Sequence, residues 1–253
     1  MTTWVSADNR SVAQKLAAGV VGIGHVPKHV AFVMDGNRRF ARGQKKEVKH
    51  GHKSGFLKLR EVIRWCMDMG ISEITVYAFS IYNFERDPEE LKGLLEVIKG
   101  PFAAVLKERQ KGINDGIRYQ IVGDLSLIPP DMMDVMQKVM DISKNDVKFN
   151  VNVAFAYSGR REITNGLKRL VGEMRDKKIG PNDVNEFLFQ NYMQIYPPTK
   201  LDLFVRTGES RLSDFLLWET DDKAVISFCE VLWPDYSYWN FLGSVFDYQG
   251  NII

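Results

Sequence analysis

Six short runs rich in β-branched and aromatic residues alternate along the chain with segments whose apolar residues recur every three or four positions. Runs of the first kind predict buried strands, and segments of the second kind predict helices. Near-continuous apolar strands that alternate with helices favour an α/β fold, with a mostly parallel six-stranded sheet and helices on both of its faces. The predicted strands are residues 29–35, 73–80, 117–124, 148–157, 201–207 and 225–233.

The predicted helices lie between these strands. Leu, Ile and Phe recur at helical spacing in residues 54–69 and 89–110, where Pro101 predicts a kink. Shorter helical patterns cover residues 132–142, 163–174 and 184–193. Because no linker, repeat or change in composition divides the chain, we expect one domain over residues 25–253, preceded by an N-terminal helical segment at 1–24.

Composition excludes several classes of protein. The 253 residues include 34 Lys and Arg against 32 Asp and Glu, so no global charge attracts nucleic acid. The two cysteines, Cys66 and Cys229, have apolar neighbours and are expected to be buried free thiols. The N-terminus shows no secretory pattern, and the weakly polar stretch 16–26 is about half the length of a spanning helix. We therefore expect a soluble protein.

One basic run stands out against this near-neutral charge. Residues 38–53 carry seven Lys or Arg against one Glu, directly after an apolar strand. Such a run is either a solvated face or a site for a polyanion. The second interpretation gains support from the other strand ends, because ligands of parallel sheets bind beyond the carboxyl ends of the strands. The residues at these ends are 35–39, Ser80 with Asn83 and Arg86, 123–124, 157–160 and 206–208.

The first of these ends reads Asp35-Gly36-Asn37-Arg38-Arg39. Backbone N–H groups at a strand end, next to arginines, suit a phosphate. A carboxylate facing a diphosphate usually holds Mg²⁺ between the two. Asp35 could also be a plain helix cap beside a glycine turn. Neither this segment nor any other matches GxxxxGK[ST], which disfavours a nucleoside triphosphatase.

Two further features have both a functional and a structural interpretation. His52 could donate to a phosphate or act as an acid near neutral pH, or it could be a solvated residue. Arg206 and Arg211, with Ser213 following, could bind a second phosphate or pair with local acids such as Glu209 and Asp214. The motifs HExxH, CxxC and GxSxG are absent, so zinc and serine-hydrolase chemistry have no support.

Five ordered motifs between about residues 25 and 246 resemble the cis-prenyltransferases, the undecaprenyl and dehydrodolichyl diphosphate synthases. The motifs are HVAFVMDGNRRFA, the GH pair at 51–52, TVYAFSIYNF with the following arginine, LDLFVRTGESRLSDFLLW and VLWPDY. The eukaryotic dehydrodolichyl diphosphate synthases are the closer resemblance, through GNRRFA and RLSDFLLW. The resemblance implies condensation of isopentenyl diphosphate onto farnesyl diphosphate with cis double bonds, in an enzyme with an apolar tunnel.

The resemblance also implies roles for individual residues. Asp35 would bind Mg²⁺ and help the allylic diphosphate to leave, with His52 beside it and Asn83 assisting proton removal. The residues implied in substrate binding are Gly36, Asn37, Arg38, Arg39, Phe40, Phe79, Ser80, Arg86, Arg206, Arg211 and Ser213. Of these, Arg206, Arg211 and Ser213 would hold isopentenyl diphosphate.

The sequence departs from the family pattern at several places. Tyr82 stands where the family usually has Glu, and the loop between Arg206 and Arg211 is one residue short. The Arg-x-Gly tail of single-chain members is missing, and in two-subunit eukaryotic enzymes a partner resembling the Nogo-B receptor supplies it. We therefore expect a dimer with such a partner, at the cytoplasmic face of the endoplasmic reticulum. Peripheral membrane contact would involve the N-terminal residues Val12, Leu16 and Val20.

Two alternatives from other classes remain. The first is a non-catalytic scaffold subunit with the same fold, although such subunits typically lose the aspartate and arginines of the first motif. This chain retains them. The second is a general phosphate-binding module, which would not need a long apolar tunnel.

Overall fold

The computed structural model describes residues 10–194, 200–221 and 223–252. Within these residues, one sheet contains β1 (His29–Val33), β2 (Glu73–Ser80), β3 (Ile117–Val122), β4 (Phe149–Tyr157), β5 (Leu203–Thr207) and β6 (Val225–Cys229). The strand order is β3-β4-β2-β1-β5-β6, and every neighbouring pair is parallel. The predicted α/β class and the parallel six-stranded sheet are confirmed.

The helices fill the intervals between the strands. They are α1 (Val12–Val21), α2 (Asn37–Gly43), α3 (Val48–Met69), α4 (Pro88–Gln110), α5 (Pro130–Ser143), α6 (Gly159–Arg175), α7 (Glu186–Phe189) and α8 (Tyr238–Asn251). Helix α3 begins six residues earlier than its apolar pattern predicts, since its first turns are basic. Pro101 lies inside the continuous α4.

Two expectations need correction. The helix predicted over 184–193 is only the four-residue α7, followed by a 3₁₀ turn at Gln190–Tyr192. Asn185 caps α7 with its side chain, so the helix begins two residues late. Cys66 is a buried free thiol as expected, whereas Cys229 is only half-buried because β6 lies at the edge of the sheet.

Alternate residues of the central strand face opposite layers, as the period of a strand requires. Val30 and Phe32 join a large apolar cluster with α3, α4, α5 and α8, whereas Ala31 and Val33 join a smaller one with Phe215. All five residues of β1 are buried. This two-sided burial explains why the strands read as continuous apolar runs.

Helix α1 packs against α8 and leaves one face uncovered. Ala17, Ala18 and Val21 are partly buried against the core, while Val12, Leu16 and Val20 are exposed. The first nine residues of the predicted N-terminal segment lie outside the described residues. Along the described part of the chain, none of the helices combines the length and the apolarity that a membrane span requires.

Candidate functional site

The carboxyl end of β1 is held in place by contacts from two other segments. Thr207, at the end of β5, accepts a hydrogen bond from the Asp35 backbone N–H and donates one to the Val33 carbonyl. Trp233 donates its backbone N–H to the Asp35 carbonyl at 2.7 Å and its indole N–H to the Gly55 carbonyl at 2.7 Å. The Asp35 backbone is therefore tied both to the sheet and to α3.

Gly36 turns the chain from β1 into α2. Its φ of +101° lies in the left-handed region, which favours glycine. The first two turns of α3 then pack directly on Asn37. A Cβ atom on Gly51 would lie 2.0 Å from the Asn37 carbonyl oxygen, and one on Gly55 would lie 2.0 Å from its side-chain Oδ1. Only glycine permits this approach.

Asp35 belongs to a group of charged side chains that we call the aspartate cluster: Asp35, Arg39, Arg206, Glu209 and Arg211. Arg206 donates to Asp35 Oδ2 at 2.8 Å and also reaches Glu209 at 3.3 Å. Arg39 lies 3.7 Å from both carboxylates, and Arg211 pairs with Glu209 at 2.6 Å. Arg206 is only 1% exposed, whereas Arg211 is open to solvent. Of the two arginines for which the sequence left open a second phosphate or a local acid, Arg206 therefore pairs with Asp35 and Glu209, and Arg211 pairs with Glu209.

A second group, the Glu90 cluster, joins Arg38 and Arg86 to one carboxylate. Arg86 donates to Glu90 at 2.8 Å, and Arg38 lies 3.4 Å from the same oxygen. The pKa of His52 is lowered from 6.5 to about 4. Burial is the largest cause, and the positive charges of Arg86 and Arg38 lower the pKa further. The imidazole is thus neutral at pH 7 in the protein without substrate, and a role of His52 as an acid stays a prediction.

An apolar cavity lies between α3, α4 and the sheet. Its volume is about 120 Å³, and its walls include Leu59, Leu94, Ile98, Val105 and Val153. These are the two helices that the sequence proposed as walls. Asn37 and His52 also line the cavity, toward the carboxyl ends of the strands. Asn37 Oδ1 and His52 Nε2 are buried there without a hydrogen-bond partner. Buried polar atoms of this kind usually have partners, so the pair marks a place for a polar ligand group.

The neutral state of His52 has a consequence for stability. Since the folded-state pKa is about 4 and the ordinary value is 6.5, the unfolded chain binds the extra proton between these values. Titration of His52 therefore leaves the free energy of unfolding unchanged above pH 6.5. As the pH drops from 6.5 to 4, it lowers the free energy of unfolding by about 3 kcal/mol. We expect His52→Gln to lack this loss. Urea unfolding at pH 7, 5.5 and 4.5 measures it, and parallel curves for the two proteins would contradict it.

The remaining predicted residues separate into two kinds. Ser80 and Asn83 cap the turn after β2, because Asn83 Oδ1 accepts the Ser80 N–H at 3.0 Å and the Ser80 hydroxyl accepts the Tyr82 N–H. Phe79 is 1% exposed and stacks on Phe155 at a centroid distance of 4.8 Å, so it is a core residue in this structure. Phe40 is half-buried on α2, and Ser213 lies beyond Arg211 in a turn with positive φ. Their roles toward substrate stay predictions.

The described residues contain no group of three or more His, Cys, Asp or Glu side chains able to hold a metal by themselves. Asp35 offers a single carboxylate, with its side chain 37% exposed. Mg²⁺ is usually bound by one or two carboxylates together with phosphate oxygens and waters. The donor set at Asp35 therefore fits a metal shared with a diphosphate, and it does not fit a cage made by protein alone.

The roles of three residues escaped the sequence interpretation, although Thr207 and Trp233 lie in segments that it named. Thr207 and Trp233 position the backbone of Asp35, and Glu90 joins two arginines from different motifs. Glu90 follows Arg86 by four residues at the start of a predicted helix, and opposite charges at that spacing are a readable signal. The contacts of Thr207 and Trp233 link distant segments and leave no local pattern.

Known proteins resemble this chain over most of its length. Residues 33–252 match a family described as "Putative undecaprenyl diphosphate synthase". A dehydrodolichyl diphosphate synthase complex subunit of Homo sapiens is 37% identical over 250 residues, which cover 98% of this chain and 75% of the human one. The corresponding subunit of Schizosaccharomyces pombe is 39% identical and covers 89% of this chain and 86% of its own. A geranylgeranyl-diphosphate-specific tritrans,polycis-undecaprenyl-diphosphate synthase of Methanocaldococcus jannaschii is 34% identical, over 94% and 85%.

Two solved structures share the fold. Lavandulyl diphosphate synthase from Lavandula x intermedia, in complex with dimethylallyl diphosphate, superposes with a TM-score of 0.83 at 26% identity, over 88% of this chain and 95% of that one. A probable undecaprenyl diphosphate synthase from Campylobacter jejuni gives a TM-score of 0.72 at 27% identity, over 90% and 97%.

Proposed function

Because the chain belongs to the undecaprenyl diphosphate synthase family of cis-prenyltransferases, we propose that it elongates an allylic diphosphate with isopentenyl diphosphate units to a dehydrodolichyl diphosphate. The observation that carries this proposal is the apolar cavity, with the buried and unpartnered His52 Nε2 toward its charged end. The hydrocarbon of a prenyl diphosphate matches the apolar walls, and its diphosphate can accept a hydrogen bond from His52 in the tautomer that carries the proton on Nε2. The complex subunits of Homo sapiens and Schizosaccharomyces pombe carry this product in their names.

The allylic substrate would bind with its hydrocarbon between α3 and α4. Its diphosphate would meet Arg38 and Arg39, and it would accept hydrogen bonds from the backbone N–H of Asn37 at the start of α2 and from neutral His52 in its Nε2–H tautomer. Mg²⁺ would be held by Asp35 together with diphosphate oxygens, where it would neutralise charge on the leaving group. Burial of the substrate's hydrocarbon and its diphosphate in one site would supply the orientation that the condensation needs.

The second substrate would occupy the other side of the aspartate cluster. Arg211, which is open to solvent, and the Ser213 hydroxyl would bind its diphosphate, and Arg206 would divide its donors between that group and Asp35. The new carbon–carbon bond forms as the allylic diphosphate leaves and isopentenyl diphosphate loses a proton. Asn83, in the turn after β2, would assist proton removal.

We favour farnesyl diphosphate as the allylic substrate, because the eukaryotic dehydrodolichyl diphosphate synthases are the closer resemblance in the motifs. The archaeal relative's name specifies geranylgeranyl diphosphate instead, so the experiment includes both. The scaffold alternative is not favoured, since Arg39 and Arg206 form one connected arrangement with Asp35.

We also propose assembly with a second subunit resembling the Nogo-B receptor, at the cytoplasmic face of the endoplasmic reticulum. The eukaryotic relatives are named as subunits of a complex. The edge strand β6 and the neighbouring α8 expose Ile226, Phe228, Trp239 and Phe246, which gives such a subunit an apolar surface. The exposed face of α1 supports peripheral contact with the membrane.

The test is incorporation of labelled isopentenyl diphosphate into a butanol-extractable product. Farnesyl or geranylgeranyl diphosphate is supplied with Mg²⁺, to the chain alone and to the chain with the second subunit. We expect long-chain product from farnesyl diphosphate, greatly increased by the second subunit. Product formed with geranylgeranyl diphosphate but not with farnesyl diphosphate would overturn the substrate assignment. A folded chain that is inactive with either substrate, with and without the subunit, would favour the scaffold alternative.

A further inference from the structure

The loop after Arg211 is fastened to the start of α6 through Asp214. The Asp214 carboxylate accepts the Ser158 hydroxyl at 2.5 Å and the Arg160 backbone N–H at 3.0 Å. The Asp214 carbonyl accepts the Gly159 N–H at 2.7 Å. The Asp214 side chain is only 9% exposed. Asp214 therefore satisfies the donors of α6 from a distant segment.

A third segment reaches the same carboxylate. The Tyr82 hydroxyl lies 3.4 Å from Asp214 Oδ2 and accepts a hydrogen bond from the Arg160 guanidinium at 3.1 Å. The Arg160 Nε atom lies 3.3 Å from that carboxylate oxygen. We call Asp214, Ser158, Arg160 and Tyr82 the Asp214 clamp. It joins the turn after β2, the start of α6 and the loop after β5.

The loop that the clamp holds has an unfavourable backbone conformation. Ser213, Asp214 and Leu216 have φ values of +54°, +60° and +49°, in the left-handed region that non-glycine residues rarely adopt. Such a conformation persists only where surrounding contacts impose it. Phe215, between them, is fully buried and stacks on Tyr77 at a centroid distance of 4.4 Å. The clamp and this ring are the contacts that impose the turn.

The strained turn directly follows Arg211 and includes Ser213, the two residues assigned to the second diphosphate. The segment from Arg206 to Arg211 is one residue shorter than the family pattern, and Tyr82 stands where that pattern has Glu. Next to the Asp214 carboxylate, a Glu would repel, whereas the Tyr82 hydroxyl bonds both Asp214 and Arg160. The two departures from the family pattern thus meet in one arrangement.

We propose that Asp214 is a positioning residue for the isopentenyl diphosphate site, and that Tyr82 supports it by fixing the shortened loop from the opposite side. The inference rests on the proposed function of Arg211 and Ser213. Loss of the clamp releases the turn, so that Arg211 and Ser213 no longer converge on one diphosphate. The allylic site lies across the aspartate cluster and keeps its geometry.

The test compares Asp214→Ala, Asp214→Asn and Tyr82→Phe with the wild-type protein. We expect the KM for isopentenyl diphosphate to rise about tenfold in Asp214→Ala and about threefold in Tyr82→Phe, as for a lost hydrogen bond to a charged group. Asp214→Asn, which keeps an acceptor for the Arg160 N–H, should recover part of the loss. The KM for the allylic substrate should stay unchanged.

Asp115→Ala is the matched control. The Asp115 side chain is also 9% exposed and pairs with an arginine, Arg109. Asp115 precedes β3, so it lies at the amino end of that strand and not at the carboxyl ends where the site is. It should lower stability without altering either KM. If Asp214→Ala raises both KM values equally, or neither, while the wild-type protein is active, the positioning role is wrong.

A second readout is independent of activity. Hydrogen exchange followed by mass spectrometry should show faster exchange in residues 158–161 and 208–217 of Asp214→Ala, with the core strands unchanged. Unchanged exchange in both segments would overturn the clamp itself. Wild-type protein that fails to elongate any allylic diphosphate would instead contradict the proposed function, and the exchange data would still decide the clamp.

Discussion

Replacing Asp35 with asparagine is expected to lower the turnover number about a thousandfold, the scale of loss when a group that stabilises transition-state charge is removed. Asparagine keeps the size of the side chain and an acceptor for the Gly36 N–H, which Asp35 Oδ1 accepts at 2.5 Å. It removes the negative charge that faces Arg206 and Arg39. Among the described residues, Asp35 is the carboxylate that we propose as the ligand of the shared Mg²⁺.

Steady-state kinetics with labelled isopentenyl diphosphate measure the turnover number, and equilibrium binding of the allylic substrate is measured alongside. Binding should stay within about threefold of wild type, because the arginines that hold the diphosphate remain. Asp68→Asn is the control, since Asp68 pairs with Arg64 and Arg10 at the far end of α3. A turnover number that stays within about tenfold of wild type would remove Asp35 from the chemistry.

Gly51→Ala is expected to destabilise the fold by about 2 kcal/mol and to abolish most of the activity, because it overpacks a close backbone contact. The added Cβ would lie 2.0 Å from the Asn37 carbonyl oxygen and 3.1 Å from the Ala41 Cβ. A backbone oxygen cannot move aside as the end of a side chain can, so α2 must shift away from α3. Asn37, Arg38 and Arg39 would move with it.

The matched control is Gly93→Ala on α4, where an added Cβ has no atom within 4 Å. In a helix interior this exchange should stabilise by roughly 0.5 to 1 kcal/mol, because glycine is a poor helix former. Thermal unfolding and the incorporation assay are run on both variants. Equal stability of the two would mean that α2 and α3 are not packed as closely as the structure places them.

The sheet was predictable because each buried strand carries its own signal. Residues 73–80 became β2 with both ends correct, and residues 148–157 became β4 with one end moved by one residue. Continuous burial on both faces writes an apolar run into the sequence, and no distant residue is needed to read it. The segment 184–193 was wrong as a single helix because its apolar spacing fits a short helix followed by a 3₁₀ turn equally well.

The sequence predicted which residues lie at the candidate site, but it did not predict how they pair with one another. Asp35, the arginines and His52 follow from motif residues and from the rule that ligands bind beyond the carboxyl ends of parallel strands. The pairing within the site was not predictable, since Arg206 could equally have met a phosphate or a local acid. The structure joins it to both Asp35 and Glu209.

The sequence by itself determined the strand–helix alternation, the parallel sheet and the set of charged residues at its edge, because these follow from local periodicity and residue chemistry. The tertiary structure alone decided that His52 is neutral at pH 7 and that α3 packs closely on Asn37 at Gly51 and Gly55. It also decided that contacts of Asp214 join three segments. Each of these depends on atoms more than ten positions apart in the chain. Burial and close approach arise only when distant segments pack together, so they leave no local pattern to read.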